Sequence, residues 1–521
     1  MKLYIFHYHL LPGGVTTVIR DGARAMLAHR GLFPGLTRLV VVAGGENDGG
    51  LGAHGGCDQP LGRRRLDAVA YDDAPATIGG RRQLADLLLR RFGDGVWWIH
   101  NHHLAKNTRF TGAVLMAAAA GHPMILQIHD FPENARPANL ARLHDEVPAS
   151  PYPSGDNVRY AVLNRRDHDA LAGAGCPGER VALLANPVRP AAPVPAPAAA
   201  TARAARARLA ESGAAGRSAG TGTLDRGRPL WLYPVRVRRR KNVLEAGLLA
   251  RLAGANLVVT LPASSAAETA YSREVERLYG DGAIPGLYGV GDRLDALGLA
   301  FDDLLAAAHL IVSPSVEEGF GFQFVNALQW RRPLLARRLP VLDDLQGLLD
   351  GYPAALYDAV RCPLTSSERN GLRAAYEPAA QRATRLLPGA AGEHLRAELD
   401  TILSGDTVDF SYLGTAQQAA LLRRCGDRGV ARELRHANAA LLDTVRSLPQ
   451  RPLPDRDQPI EAAFGEAAFA RRAAALLAPL LARGGASRTP PADGATRAVI
   501  DPAAVQRTFA KPAALRLLME R

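Results

Sequence analysis

Cysteine and lysine are scarce in this chain of 521 residues. The four cysteines, Cys57, Cys176, Cys362 and Cys425, lie far apart and form no C-x-x-C pair. The sequence therefore predicts neither a zinc knuckle nor a disulfide framework, and it favours a reducing compartment. Of the 63 basic residues only Lys2, Lys106, Lys241 and Lys511 are lysines. Because arginine is used almost everywhere else, each remaining lysine is a candidate functional residue.

Long hydrophobic runs are also missing. Runs such as residues 113–120 and 473–482 are far shorter than the roughly 20 residues that a membrane span needs. The first 14 residues contain a short apolar stretch that His7 and His9 interrupt, which is unlike a secretory signal. We expect a cytoplasmic protein whose contact with membranes is at most peripheral.

Hydrophobic residues make up 47% of the chain, which is ample for buried cores, and 22% of the residues are charged. The net charge of +12 is compatible with nucleic acid, anionic lipid or a phosphorylated substrate. No nucleic-acid recognition motif supports the first of these, so we expect no nucleic-acid partner.

Strand-like runs alternate with helical patterns along most of the chain. The predicted strands are residues 3–6, 39–43, 96–99, 124–128, 160–163, 181–184, 230–233, 257–261 and 310–312, with another near Leu334. This alternation favours parallel sheets covered by helices on both faces. The predicted domains are an α/β domain (1–187), an Ala/Pro/Arg-rich linker or insertion (188–228), a second α/β domain (229–405) and an extension with only helical patterns (406–521).

Three motifs follow predicted strands. Pro12-Gly13-Gly14 allows close approach of the backbone to a ligand at a helix start, or is simply a tight turn. Residues 236–242 (RVRRRKN) combine five cations with a helix start, where Asn242 and Glu245 predict a capping box, and suit a diphosphate. Residues 313–322 (SPSVEEGFGF) pair two glutamates, which suit sugar hydroxyls, with glycines that expose backbone N–H groups.

Histidines gather in the first domain, at His7, His9, His100, His102, His103 and His129. The HNHH segment is the best metal candidate, but it has neither a carboxylate at a ligand spacing nor an H-E-x-x-H motif. We favour histidines that line a cleft and expect no metal.

These motifs, in this order, resemble those of retaining glycosyltransferases of the GT-B fold, in particular the large family 4. That family has an Arg and, five residues later, a Lys, matched by Arg236 and Lys241. It then has Pro-Ser and Glu-Gly-Phe-Gly, matched by Pro314-Ser315 and by residues 318–321. The segments Asn186-Pro187-Val188 and Leu339-Pro340-Val341 are also similar, and the resemblance covers about residues 1–400.

The resemblance implies an α/β GT-B fold, with two Rossmann-like parallel-sheet domains facing across a cleft and a helical C-terminal extension. It implies transfer of a sugar, with retention, from a nucleotide-diphosphate sugar to a carbohydrate, small-molecule or lipid-linked acceptor, without cofactor or metal. The implied catalytic residues are His129, Arg236, Lys241 and Glu318. The implied donor-binding residues are Gly13, Gly14, Glu317, Gly319, Phe320, Gly321 and Asn326.

One position departs from the family pattern. The family has a second glutamate eight residues after the first, where it binds the ribose, and this chain has Asn326 there. Asn326 favours a non-catalytic GT-B binding subunit. Two further interpretations stay open: a phosphate-dependent glycoside phosphorylase of the same fold, which would use the same cations, and a metalloenzyme built on the histidines.

Overall fold

The computed structural model describes residues 2–45, 61–147, 149–190, 199–214, 221–384, 387, 389–482 and 500–518. Cys57 and two parts of the predicted linker, residues 191–198 and 215–220, lie outside these. The chain divides into two compact units. Unit 1 consists of Met1–Arg189, Arg382–Gly392 and Pro459–Ala514, and unit 2 of Pro190–Gln381, Glu393–Gln458 and Leu515–Arg521.

The first 189 residues form strands and helices in alternation. Their elements are β1 (Lys2–His7), α1 (Gly14–Ala28), β2 (Arg38–Ala43), β3 (Gly62–Arg65), α2 (Ile78–Phe92), β4 (Gly95–His100), α3 (Thr108–Ala119), β5 (Met124–Ile128), α4 (Pro137–Glu146), β6 (Val158–Val162), α5 (Arg165–Gly173) and β7 (Val181–Leu183). The strands pair in parallel in the order β3-β2-β1-β4-β5-β6-β7. Most of them are continuous apolar runs, because helices cover both faces of this sheet.

The alternation resumes in the second unit. Its sheet region contains α6 (Ala199–Ala214), β8 (Leu230–Arg236), α7 (Val243–Ala253), β9 (Asn256–Leu261), α8 (Ala266–Gly280), β10 (Gly286–Tyr288), α9 (Phe301–Ala307), β11 (Leu310–Ser313), α10 (Phe322–Gln329), β12 (Leu334–Arg337), α11 (Gln346–Leu349) and β13 (Ala354–Tyr357). These strands are also parallel, in the order β10-β9-β8-β11-β12-β13. The predicted α/β class with two Rossmann-like parallel-sheet domains is confirmed.

The remaining elements are mainly helical. They are β14 (Arg361–Pro363), α12 (Ser366–Thr384), α13 (Gly389–Ser404), β15 (Thr407–Asp409), α14 (Thr415–Arg424), α15 (Arg428–Ala437), α16 (Ala439–Ser447), α17 (Asp457–Phe464), α18 (Glu466–Ala482), α19 (Pro502–Phe509) and α20 (Pro512–Leu515). The expectation of helical patterns alone beyond about Gly405 is wrong at β15, which pairs antiparallel with β14. None of the described helices combines the length and apolar character needed to cross a membrane.

The core of unit 1 includes segments from both ends of the chain. Side chains of α18 (Phe469, Ala473 and Leu477 among them) pack with α1 against one face of the sheet. Ile500, Val505 and Phe509, before and within α19, join the cluster on the other face. Two Rossmann-like domains, with late helices that return to the first, are the architecture of the GT-B fold class.

Part of the predicted linker is ordered. Its residues 199–214 form α6, in which Ala202, Ala205 and Leu209 are buried, and α6 packs on α9 of the same unit. The segment is therefore partly a helix with a small buried face, which its low content of large apolar residues concealed.

Candidate functional site

In each sheet the strand order reverses at one pair of neighbouring strands, β1 and β4 in unit 1 and β8 and β11 in unit 2. Ligands of open parallel sheets bind outside the carboxyl ends of the strands at such reversals. The RVRRRKN motif follows β8, and the SPSVEEGFGF motif follows β11. The two motifs meet there, since the Val316 N–H donates to the Arg240 carbonyl over 2.9 Å.

An ion cluster connects these motifs. The Lys241 ammonium pairs with Oε1 of Glu318, and Nη1 of Arg240 lies 3.1 Å from Oε2 of the same carboxylate. Nη1 of Arg240 also donates to the carbonyl of Glu317 over 2.7 Å. The side chains of Glu318 and Lys241 are only 9% and 14% exposed, so this cluster lies largely out of water.

Burial and charge set the protonation of the pair. Burial lowers the pKa of Lys241 to about 8, and the neighbouring arginines act in the same direction, against the attraction of Glu318. Burial alone would raise the pKa of Glu318, but Lys241 and Arg240 together lower it to about 2. At neutral pH the cluster is thus an ammonium, a guanidinium and a carboxylate, which can bind a phosphate and hydrogen-bond a hydroxyl.

Two residues at this site, Tyr233 and Ser315, were not predicted as functional. The Tyr233 hydroxyl donates to the Lys241 carbonyl over 2.8 Å and lies 2.9 Å from the Ser315 hydroxyl. The adjacent Ser313 Oγ and Gln323 Nε2 are buried without a hydrogen-bond partner among the described residues. Ser315 does lie in the Pro-Ser motif, which carried the resemblance without a role for the serine. Tyr233, at a strand end, looks like an ordinary core residue in sequence, so only its spatial neighbours reveal it.

Arg236 ends β8 on the side that faces β9. Its Nη1 donates to the Pro262 carbonyl over 3.0 Å, in the loop that follows β9. Arg236 and Lys241 therefore lie at the same edge of the sheet, as predicted. Of these two residues, Lys241 belongs to the ion cluster with Glu318, whereas the described contact of Arg236 is with Pro262.

The Gly319-Phe320-Gly321 turn leads directly into α10. Gly321 is left-handed at φ +82°, and a Cβ there would lie 2.5 Å from the Phe324 ring. Both the backbone conformation and the contact require glycine at this position. Phe320 is buried, with its ring edge-on to Phe322 at 4.8 Å.

Asn326 lies in α10 on a half-buried stripe that it shares with Phe322 and Trp330. The i, i+4 and i+8 spacing places these three side chains on one face of the helix. The Asn326 side chain is therefore partly accessible.

The capping box predicted for Asn242 and Glu245 is wrong. Asn242 is left-handed at φ +52° and makes no side-chain cap to α7. Its Nδ2 instead donates to Oε2 of Glu245 over 2.8 Å. Glu245 is drawn into the core because it pairs with the buried guanidinium of Arg337, at 2.6 Å.

In unit 1, Gly13 and Gly14 stand exposed at the start of α1. Gly13 is extended, no side chain caps this helix, and a Cβ on Gly14 would meet nothing within 4 Å. The described fold does not require glycine at Gly14, so its absent side chain leaves space at the helix start.

His129 follows β5 and is 7% exposed. Its ring Nε2 lies 2.8 Å from Nδ1 of His100, and its backbone N–H donates to Oδ1 of Asn101 over 2.8 Å. Burial lowers the pKa of His129 to about 4, and the pKa of His7 to about 3, so both rings are neutral at physiological pH. Among the described residues, no group of three His, Cys, Asp or Glu side chains is arranged to hold a metal ion.

Comparison with known proteins gives one relative in sequence and several in structure. No protein-family model matches the chain. The chain is 28% identical over 458 residues to mannosylglucosyl-3-phosphoglycerate synthase of Petrotoga mobilis. The aligned region covers 86% of this chain and 85% of that protein.

Two solved structures are also similar to the chain. One is Anabaena HepE in complex with UDP and glucose (TM-score 0.47, 13% identity, 92% of this chain and 99% of that one). The other is sucrose-phosphate synthase from Thermosynechococcus elongatus (TM-score 0.48, 14% identity, 92% and 99%).

Proposed function

We propose that this protein is a nucleotide-sugar-dependent glycosyltransferase that acts with retention of configuration. The observation that carries the proposal is the buried cluster of Lys241, Arg240 and Glu318 at the strand reversal of unit 2. It combines cations for a diphosphate with a carboxylate for sugar hydroxyls. The sequence similarity to a synthase of a glycosylated phosphoglycerate supports the same class of reaction.

The proposed chemistry follows from these charges. The bond between the anomeric carbon and the diphosphate oxygen breaks, and the diphosphate leaves with its electron pair. Lys241, with Arg236 and Arg240, neutralises the charge that develops there, which is the main electrostatic demand of the reaction. The acceptor oxygen bonds to the anomeric carbon on the same face, and its proton passes to the leaving diphosphate. No metal or cofactor enters this scheme.

Each remaining site residue has a role in this proposal. Glu318 and the N–H groups of residues 319–321 hold the donor sugar, while Glu317, in the loop before α10, and Asn326, within α10, also bind the donor. His129, neutral and hydrogen-bonded to His100, presents a ring to the reacting carbon, and Gly13 and Gly14 leave space for phosphate or acceptor.

The acceptor is proposed from the Petrotoga relative, whose name includes glucosyl and 3-phosphoglycerate groups. We expect an acceptor of the same chemical kind, that is, a hydroxyl compound that carries an acidic group.

The test is calorimetric binding of UDP, GDP and ADP to the wild type, to Lys241→Met and to the control Lys2→Met. One nucleotide should bind with micromolar affinity to the wild type and to the control. The loss in Lys241→Met should be at least about tenfold, since a hydrogen bond to a charged group is removed. Equal binding by all three proteins would contradict the phosphate-site assignment.

Asn326 is the observation that favours the second candidate, a non-catalytic binding subunit. Because a carboxylate accepts hydrogen bonds from the ribose hydroxyls more strongly than an amide does, Asn326→Glu should bind the nucleotide more tightly if ribose lies there. A chain that binds nucleotide but transfers no sugar, with or without this substitution, would favour the binding subunit.

A further inference from the structure

Two of the four lysines stand at the two strand reversals. Lys241 follows β8 in unit 2, and Lys106 lies in the loop between β4 and α3 in unit 1. Lys2, by contrast, begins β1 at the amino edge of the sheet and pairs with Asp94. Because the chain uses arginine at almost all other basic positions, a lysine at the ligand-binding edge of unit 1 is a candidate binding residue.

The surroundings of Lys106 join the loops on both sides of the reversal. Its ammonium lies 5.6 Å from the centre of the Tyr71 ring, which is 53% exposed. Nε2 of His9, in the loop after β1, lies 3.1 Å from the Tyr71 hydroxyl. We call His9, Tyr71, Lys106 and Arg136 the Tyr71 cluster.

Arg136 adds a second cation to this cluster. It precedes α4, and its guanidinium lies 3.2 Å from the Asp130 carboxylate. Asn139 of α4 donates to the Leu104 carbonyl over 2.7 Å, which holds the start of α4 against the Lys106 loop. Burial raises the pKa of Tyr71, the Arg136 charge opposes this rise, and the Asp130 charge adds to it.

The cluster rests on a fixed backbone frame. Arg142 donates to the carbonyls of Asp72 and Ala105 over 2.9 and 3.1 Å, and the Asp72 N–H donates to the Lys106 carbonyl over 2.9 Å. Ala105 is left-handed at φ +51°, a strained conformation for a residue with a Cβ, of the kind that gathers at binding sites. The backbone next to Tyr71 and at Lys106 is thus held in place by these hydrogen bonds.

We propose that Lys106 and Arg136 of the Tyr71 cluster bind the acidic group, phosphate or carboxylate, of the sugar acceptor. This rests on the proposed function, because it assigns the acceptor to unit 1 of a glycosyltransferase. A compact ammonium on the loop after β4 and a planar guanidinium just before α4 together provide several N–H donors for such an anion.

The experiment titrates 3-phosphoglycerate, glycerate and inorganic phosphate, separately, into the full-length protein by calorimetry. The variants are Lys106→Met, Lys106→Arg and Arg136→Met, with Lys2→Met as a matched lysine control and Lys241→Met as a donor-site control. UDP, GDP and ADP are titrated in parallel into each protein.

3-Phosphoglycerate should bind the wild type and both controls within about twofold of one another. Binding should be at least about tenfold weaker in Lys106→Met and Arg136→Met, since each loses a charged hydrogen-bond donor. Lys106→Arg, which keeps the charge, should retain most of the affinity. Binding of phosphate but not glycerate, with the same loss in Lys106→Met, assigns the phosphate group, and the reverse pattern assigns the carboxylate.

Three outcomes would overturn the proposal: equal affinity in Lys106→Met and wild type, binding lost in Lys241→Met but kept in Lys106→Met, or no binding of any of the three anions to the wild type. A wild type that binds no nucleotide, but binds 3-phosphoglycerate through Lys106, would keep the anion site and remove the glycosyltransferase assignment.

Discussion

At the scale of single residues, Lys241 contributes a titration as well as a charge. Its pKa is lowered by burial to about 8, so the ammonium loses its proton as the pH rises through that value. Only the charged form attracts a diphosphate. Nucleotide affinity should therefore be constant near pH 7 and fall up to about tenfold per pH unit above pH 8.

The measurement is the dissociation constant of the preferred nucleotide between pH 6.5 and 9.5. Lys241→Arg is the control, because arginine stays charged over this range and its binding should not change. The same fall in both proteins would show that another group titrates.

The buried carboxyl of Glu133 should make the free energy of unfolding depend on pH. It is 8% exposed, and both carboxyl oxygens lie 2.8 Å from the Tyr152 hydroxyl. Burial raises the pKa of Glu133 from 4.5 to about 7, so the folded protein holds this proton more tightly than the unfolded chain. The resulting stabilisation is complete below pH 4.5 and lost as the pH rises to about 7.

The free energy of unfolding in urea, measured at pH 5 and pH 8, tests this expectation. Glu133→Gln should remove a difference of up to about 3 kcal/mol between these two conditions. An unchanged difference in the variant would assign the dependence to other groups.

At the scale of elements, the contact of α1 with α18 offers a test of the packing in unit 1. A Cβ on Gly22 of α1 would lie 2.9 Å from the Phe469 ring, so the ring packs against bare backbone. Phe469→Ala should leave a cavity that costs about 3–5 kcal/mol in the free energy of unfolding. Ile78→Ala, at a residue that is 67% exposed, should cost almost nothing, and equal losses in both variants would contradict the packing account.

The elements that could be predicted from the sequence are those whose burial produces a continuous apolar run of residues. The central strands were found because both faces are apolar, as in β4 with Trp97 and Trp98. Strand β3 was missed since Arg63, Arg64 and Arg65 are exposed at the sheet edge, where packing imposes no pattern. Strands β10 and β13–β15 were also missed; they have only three or four residues and, unlike the equally short β11, contain no run of large aliphatic residues.

The candidate site divides in the same manner. Motif spacing brought Lys241 and Glu318 to one edge, because parallel strands end at the same side of a sheet. The burial of Glu245 in a pair with Arg337 was not predictable, since these two residues are 92 positions apart in sequence. Long-range ion pairs of this kind leave no local signal.

At the scale of the whole molecule, the chain path through unit 1 is discontinuous. Removal of residues 459–521 would expose the faces of the first sheet that α18 and α19 cover. We expect the shortened chain to bind a hydrophobic dye and to lose the cooperative unfolding of unit 1. A peptide of residues 459–521 should restore both properties when added in trans, whereas cooperative unfolding without it would contradict the account.

This chain path also affects folding during synthesis on the ribosome. At about 5–20 residues per second, the ribosome needs roughly 15–65 s to translate from the end of the first sheet to the helices that complete it. During that interval unit 2 is synthesised, and the parts of the first sheet that α18 and α19 cover in the complete protein stay exposed. Chaperone demand should therefore concentrate on the earliest part of the polypeptide, and slower translation should lengthen its exposure.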